Sequence, residues 1–281
     1  MNNANFGLAV ANNARQEMVL AKQTLLAFAM NNGELMTGGT PGRFPCPDSD
    51  NDADGLPNLP CVAISRLPRR IDTNTGGPFY ISDEGLENGQ RFWFAVSPAY
   101  RQNSMVTLNS NTNGTLTLDG IDDIVAIIVA PGDALAGQTR HNNTASNYLE
   151  STNVGGSSFI SSLPANPTAF NDRVLPIYRH EVMTLVTARV VREIRRVLDL
   201  YHPANGNTYP ADEPAFQAAL AAAAPPLPTW FTANSWNTVT NYAFVNTNSF
   251  TLNFVGCEIE YTVTFGSPDI TRDQFSCEVS P

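Results

Sequence analysis

Two segments of the chain repeat apolar residues at the spacing of an α-helix. In residues 3–32 these residues recur at steps of three and four, which places them on one helical face. They are Ala11, Ala14, Met18, Ala21, Leu25 and Phe28. A second stripe over 178–202 consists of Val182, Val186, Val190, Ile194, Val197 and Tyr201. The pattern predicts a long N-terminal helix that stops near Asn32-Gly33 and a second helix that Pro203 ends.

Other segments show the patterns of strands. A continuous apolar run over 124–130 indicates a strand that is covered on both faces. Shorter strands are predicted over 91–96 and 114–118. Apolar and polar residues alternate over 250–254, and loosely over 258–265, which predicts an antiparallel C-terminal sheet.

The segments between these elements differ in character. Proline and glycine exclude regular structure over 37–60. Residues 132–170 are rich in Asn, Ser, Thr and Gly and are predicted to form a long surface excursion. A short alanine-rich helix is predicted over 212–224, where Pro225-Pro226 stops it.

The order of these elements predicts an α+β fold class. A long N-terminal helix is expected to pack on an antiparallel sheet, followed by a second helix and a C-terminal β region. The predicted segments are a helix over 1–33, a globular α+β head over 34–235 and a C-terminal β region over 236–281.

Composition narrows the classes of function. Of the 281 residues, 42% are hydrophobic, enough for a sizeable core, and the formal net charge of −10 disfavours general nucleic-acid binding. Arg189, Arg192 and Arg196 share one face of the second predicted helix. We interpret them as a solvated face paired with Glu193 and Asp199 rather than as a DNA-binding patch.

Four cysteines fall into two local pairs, Cys46 with Cys61 and Cys257 with Cys277. No CxxC spacing occurs in the sequence, which argues against a zinc ribbon or thioredoxin chemistry. Four cysteines allow three connectivities, of which we predict the two local disulfides, formed in an oxidising compartment. The alternative is four buried thiols in a reducing cell.

An acidic turn lies between the first two cysteines. Asp50, Asp52, Asp54 and Gly55 match positions one, three, five and six of a calcium loop. Cys61 stands where such a loop holds a bidentate Glu, so the turn is not an EF-hand and needs further ligands. The candidates are Asp48, the Leu56 carbonyl, Asn58 and Asp72. The pattern predicts a structural Ca²⁺ ion, and the alternative is a solvated acidic turn.

Three stretches resemble the type IV pilin-like family, which includes minor pilins and the pseudopilins of type II secretion. They are 16–29 (QEMVLAKQTLLAFA), 42–50 (GRFPCPDSD) and 122–132 (DDIVAIIVAPG), with 147–150 and 170–173 beyond them. Together they cover roughly the first two thirds of the chain. The family's cleavage glycine and apolar first half of the helix are not found in this sequence. The resemblance therefore implies a protein without its membrane half, anchored at the inner membrane through that missing segment before assembly.

This resemblance implies a structural subunit of a type IV pilus (fimbrium) or a secretion filament, and not an enzyme. Its partners would be other pilin or pseudopilin subunits, and its outward head would contact a surface ligand. The resemblance also implies that one helix face packs on the protein's own sheet or against neighbouring subunits. That assembly face consists of Ala14, Met18, Ala21, Leu25 and Phe28.

Two other hypotheses remain. One is a secreted, calcium-stabilised adhesin or binding module without a filament role, which a cleavable signal peptide in place of an apolar anchor would indicate. The other is a hydrolase with dispersed catalytic residues. No GxSxG motif occurs in the sequence, and Thr184 stands where an HExxH motif starting at His180 would need its second histidine.

Overall fold

We analysed the fold in a computed structural model of the protein. It describes residues 3–50, 52, 54–82, 90–140, 142–273 and 277, with side chains from Asn13 onward except that of Pro167. The chain forms two compact units. The first comprises Met1–Met105 and Asn113–Arg179, and the second comprises Val106–Thr112 and His180–Pro281.

The described residues form five α-helices and twelve β-strands. The helices are α1 (Asn3–Leu35), α2 (Arg179–Ala204), α3 (Glu213–Ala221), α4 (Thr229–Ala233) and α5 (Trp236–Val239). The strands of the first unit are β1 (Ile64–Arg66), β2 (Arg70–Ile71), β3 (Phe79–Tyr80), β4 (Trp93–Val96), β5 (Leu116–Leu118), β6 (Ile121–Ala130), β7 (Ser158–Phe159) and β8 (Arg173–Tyr178). Those of the second unit are β9 (Thr240–Asn246), β10 (Ser249–Phe254), β11 (Cys257–Thr264) and β12 (Ile270–Arg272).

The helices confirm the helical periodicity read from the sequence. α1 extends three residues beyond Asn32, and α2 accommodates Pro203 in its last turn. α3 begins where the side chain of Asp212 accepts a hydrogen bond from the Ala215 N–H at 2.9 Å, because that carboxylate satisfies a donor left free at the helix start.

The first unit is built around β6. Its sheet has the order β1–β4–β6–β5–β7, and β8 pairs with β6 as well. From Ile124 to Ala130 every residue of β6 is buried, as the continuous apolar run predicted. α1 contacts β6 and β8, so the buried stripe of the helix covers one side of the sheet. β2 and β3 form a separate two-stranded sheet.

The second unit contains the predicted C-terminal antiparallel sheet, in the order β12–β11–β10–β9. Side chains of β11 alternate between buried and exposed, as expected for a strand with one covered face. The α2 stripe from Val182 to Val197 is buried, and the Thr187 hydroxyl hydrogen-bonds to the Tyr261 hydroxyl at 2.8 Å. This bond joins α2 to β11.

The predicted fold class, a long helix on one antiparallel sheet with a second helix and a C-terminal β region, is wrong. The strands belong to three sheets, and the largest is mixed because β5 and β7 run parallel. β7 lies in the Ser- and Gly-rich excursion and has two residues, too few to show a strand period. Only parts of the expectation are matched, namely the packing of α1 on a sheet, the second helix and the C-terminal antiparallel sheet.

Among the described residues, none of the helices combines the length and the apolar character needed to cross a bilayer.

Candidate metal site

A disulfide closes the loop that carries the acidic turn. Cys46 and Cys61 are bonded, with their Cα atoms 4.9 Å apart, which confirms the predicted local pairing. Gly55 turns the loop with a φ of +73°, a conformation that favours glycine. Its carbonyl accepts the N–H groups of Arg69 and Arg70 at 2.9 and 3.1 Å, so the loop is held at both ends and in its middle.

Three of the predicted ligands converge. One carboxylate oxygen from each of Asp50, Asp52 and Asp54 lies within 4.8 Å of the other two, and all three residues are exposed. We call these residues the acidic triad. Each accepts the N–H two residues further on, at 3.4 Å from Asp52, 3.0 Å from Asp54 and 2.7 Å from Leu56. The Asp54 N–H lowers the pKa of Asp52, which favours the ionised form of that carboxyl group.

Asp48 occupies a different environment from the triad. Its residue is 1% exposed, and its carboxylate pairs with Arg91 Nη1 at 2.7 Å. Its backbone exchanges two hydrogen bonds with Arg66, at 2.9 and 3.1 Å. Burial raises the pKa of Asp48, and the hydrogen bond and charge of Arg91 oppose that rise. Asp48 thus fastens the loop to the first unit instead of presenting a free carboxylate.

Asn58 and Leu56, the other predicted ligands, shape the turn. Asn58 Oδ1 accepts the N–H groups of Ser49 and Asp50 at 2.5 and 3.2 Å, and its Nδ2 donates to Asp50 Oδ2. Leu56 contributes its N–H to Asp54. Asp72 forms a separate exposed ion pair with Arg70 at 2.6 Å. Asn58 therefore orients Asp50 through hydrogen bonds to both its backbone and its side chain.

The triad has the donor chemistry of a calcium ligand set. Ca²⁺ takes six to eight oxygen ligands in flexible geometry and accepts carboxylates and water. Three exposed carboxylates in a turn fixed by a disulfide supply a partial set of this kind, which solvent would complete. The residues fit a hard cation, and they are fewer than the sequence suggested because Asp48 is engaged elsewhere.

The second disulfide ties the C-terminal segment to the second unit. Cys257, at the start of β11, is bonded to Cys277 with a Cα separation of 4.7 Å. The N–H of Cys277 donates to the Thr184 hydroxyl of α2 at 2.7 Å. Both predicted disulfides are therefore present, which is consistent with an extracellular protein.

The predicted assembly face of α1 is buried within the first unit. Ala14, Met18, Ala21, Leu25 and Phe28 are each at most 3% exposed. Phe28 packs edge-on against Phe79, with ring centroids 5.7 Å apart. The exposed side of α1 includes Val19 and Leu20, which are 39% and 53% exposed. A neighbour that contacts the exposed side of α1 near Val19 and Leu20 would therefore not reach the predicted face.

The arginines of α2 form the ion pairs expected of a solvated helix face. Glu193 pairs with Arg189 at 3.8 Å and Arg196 at 3.2 Å. Arg195 pairs with Asp199 at 3.1 Å. Because Arg189 and Arg196 share Glu193, these ion pairs compensate only part of the positive charge of this face.

Comparison of the chain with models of known protein families, with curated proteins and with solved structures yields no match. Its function is therefore inferred from its own residues.

Proposed function

We propose that this chain is the head region of an assembly subunit of a type IV pilus or a related secretion filament, a minor pilin or pseudopilin without catalytic activity. Its partners are other subunits of the filament, and its outward face contacts a surface ligand. Before assembly, an apolar segment N-terminal to α1 anchors it at the inner membrane. Nucleic acid is not among the proposed partners.

The observation that supports this proposal best is the two-sided character of α1. The helix has 33 residues, about 50 Å at 1.5 Å per residue. Its buried stripe attaches it to the sheet, while Val19 and Leu20 expose apolar surface on another side. Adjacent exposed apolar residues mark interaction sites when they form a patch. A helix that is fixed to its head and carries two exposed apolar residues among polar ones on its free side suits a subunit that contacts neighbours through that side.

The disulfides support the extracellular part of the proposal. Each closes a short loop, with sequence separations of 15 and 20 residues. Loop closure of this length stabilises a protein by about 3 kcal/mol in the chain-entropy model. Such fastenings suit a head that faces an oxidising exterior.

Calcium has a structural role in this proposal. The ion binds the acidic triad and offsets the mutual repulsion of its carboxylates, completing its coordination with water. Asp48 and Asn58 hold the turn from behind and are not direct ligands.

A photo-crosslinking residue at position 20 tests the filament proposal. It is introduced into the full-length gene product in the organism that encodes it, and filaments are sheared from the cells. We expect adducts between position 20 and a second filament subunit in the sheared fraction, because Leu20 lies on the free side of α1.

Position 200 supplies the matched control. Leu200 in α2 is also 53% exposed, but it lies on a different helix and outside the proposed contact. Equal crosslinking at both positions would contradict the assembly role of α1. Release of the whole protein into the medium, without any in the filament fraction, would favour the secreted adhesin instead.

A further inference from the structure

Two buried carboxyl groups face each other in the excursion between β6 and β8. Glu150 precedes a short 3₁₀-helix over Ser151–Gly155, and Asp172 precedes β8. They are 7% and 4% exposed. In the sequence they belong to the stretches 147–150 and 170–173, which do not indicate that the two carboxyl groups meet.

The pair is joined by reciprocal hydrogen bonds. Glu150 Oε2 accepts the N–H groups of Asn171 and Asp172 at 3.1 and 3.0 Å. Asp172 Oδ2 accepts the Glu150 N–H and the Asn153 Nδ2, both at 2.9 Å. Each carboxyl group thus holds the backbone of the other residue, and together they fasten the middle of the excursion to the segment that enters β8.

Further bonds extend from this pair into the excursion. Gln138 Nε2 donates to Glu150 Oε1 at 2.9 Å, and Arg140 donates to Gln138 at 3.0 Å. Asn153, fully buried, accepts the Ile160 N–H at 2.8 Å. Segments before and after the pair therefore depend on its geometry.

The two carboxyl groups differ in how their oxygens are used. Both oxygens of Glu150 accept N–H donors, three in all, and hydrogen bonds of this kind favour the ionised carboxylate. For Asp172, Oδ2 accepts two donors, whereas Oδ1 is buried and has no hydrogen-bond partner among the described residues. A buried charged oxygen without a partner is costly, and a proton on that oxygen removes the charge.

We propose that Asp172 carries a proton at neutral pH while Glu150 is ionised, and that this pair is a pH-sensitive latch which holds the excursion on the first unit. When the proton leaves at higher pH, two adjacent buried carboxylates repel each other. The N–H bonds that tie residues 150–153 to 171–172 then weaken, and the excursion loosens.

The charges around Asp172 agree with this assignment. Burial is the largest cause of the rise of the Asp172 pKa to about 8, and the charge of Glu150 adds to it. Arg140 reaches the pair through Gln138, Arg173 is exposed, and Asp133 contributes a backbone carbonyl to Asn171. His141 lies outside the described residues.

The direction of the pH effect follows from this pKa. Between the ordinary aspartate value of 3.8 and about 8, the folded protein holds a proton that the unfolded chain has released. The protonated Asp172 therefore makes its full contribution to stability below pH 3.8, and this contribution is lost as the pH rises from 3.8 through about 8. One proton changes the ratio of folded to unfolded protein by at most about tenfold per pH unit.

Asp172→Asn provides the test, because an amide has one accepting oxygen for the two N–H donors and an NH₂ group in place of the proton. Urea unfolding is measured from pH 5 to pH 9 in a background in which His141→Gln removes a further titrating group. We expect Asp172→Asn to gain stability relative to the parent as the pH rises. Hydrogen exchange of residues 138–172, corrected for intrinsic rates, should increase at pH 9 in the parent and not in the variant.

Two further variants sharpen the result. Asp133→Asn makes the same charge change at an exposed position and should leave the pH slope unchanged. Glu150→Gln places an NH₂ group among N–H donors and should destabilise the protein at every pH. The proposal would be overturned if Asp172→Asn showed the same dependence of stability on pH as the parent, or if Glu150→Gln were as stable as the parent. Should Asp172→Asn not fold, NMR titration of the parent's Asp172 carboxyl carbon decides, since a midpoint below pH 7 would overturn the proposal.

Discussion

The buried ion pair between Asp48 and Arg91 can be tested by removing one charge. The side chain of Asp48 is 2% exposed, that of Arg91 is 16% exposed, and their charged atoms are 2.7 Å apart. Asp48→Asn keeps the size of the side chain and removes its charge. Arg91 then faces a neutral amide, while the backbone bridge between Asp48 and Arg66 is retained.

The expected loss of stability is about 3 kcal/mol. Removing one partner of a buried ion pair typically costs about 3–5 kcal/mol, because it leaves an uncompensated buried charge. Two features place the expected loss in Asp48→Asn near the lower end of this range. Arg91 keeps a hydrogen bond from Nη2 to the Leu67 carbonyl at 2.9 Å. Burial also raises the pKa of Asp48 in spite of Arg91, so the pair does not fully offset the burial of the carboxylate.

Asp72→Asn is the matched control. Asp72 pairs with Arg70 at 2.6 Å, a shorter distance than in the buried pair, but both side chains are about half exposed, at 51% and 48%. Exposed ion pairs contribute about 0–1 kcal/mol because water screens them. Urea unfolding followed by tryptophan fluorescence gives both values. A loss in Asp72→Asn as large as that in Asp48→Asn would refute the reasoning, since burial would then not decide the cost.

Two further predictions concern the loop and its fastenings. A chelator should lower the melting temperature of the parent protein relative to excess Ca²⁺. Asp52→Asn should abolish that difference, while Asp133→Asn should retain it. An equal response of the parent and both variants would remove calcium from the proposal. Alkylation should label four cysteines after reduction and none before it. Replacing Cys257 and Cys277 by Ala should lower the free energy of unfolding by about 3 kcal/mol. Four reactive thiols in the untreated protein would remove the argument for export.

The parts of the fold that depend on local periodicity could be predicted from the sequence. The stripe over 178–202 gives α2, and the alternation over 250–254 gives a strand of the C-terminal sheet. The apolar run over 124–130 correctly indicates a strand buried on both faces. In each case the pattern reports which side chains avoid water, and this determines the element.

Pairing between distant segments could not be predicted in this way. Phe159 is buried beside Leu118, yet the polar residues around it carry no strand period. The contact between Glu150 and Asp172 depends on the path of the whole excursion. A sequence shows that these residues are acidic, but the difference between a solvated and a buried carboxyl group arises only when the chain returns to the sheet.

The acidic loop shows the same distinction within a few residues. Asp48, Asp50, Asp52 and Asp54 alternate along the sequence, which suggests four carboxylates on one side. Asp48 instead forms a β-bridge with Arg66, and the turn begins after it. The alternation in the sequence therefore does not place the Asp48 carboxylate with the other three. The loop is therefore already held by a disulfide, a buried ion pair and the Gly55 carbonyl. A cation on the triad would relieve repulsion in a preformed turn, and it need not substitute for the secondary structure that the loop lacks.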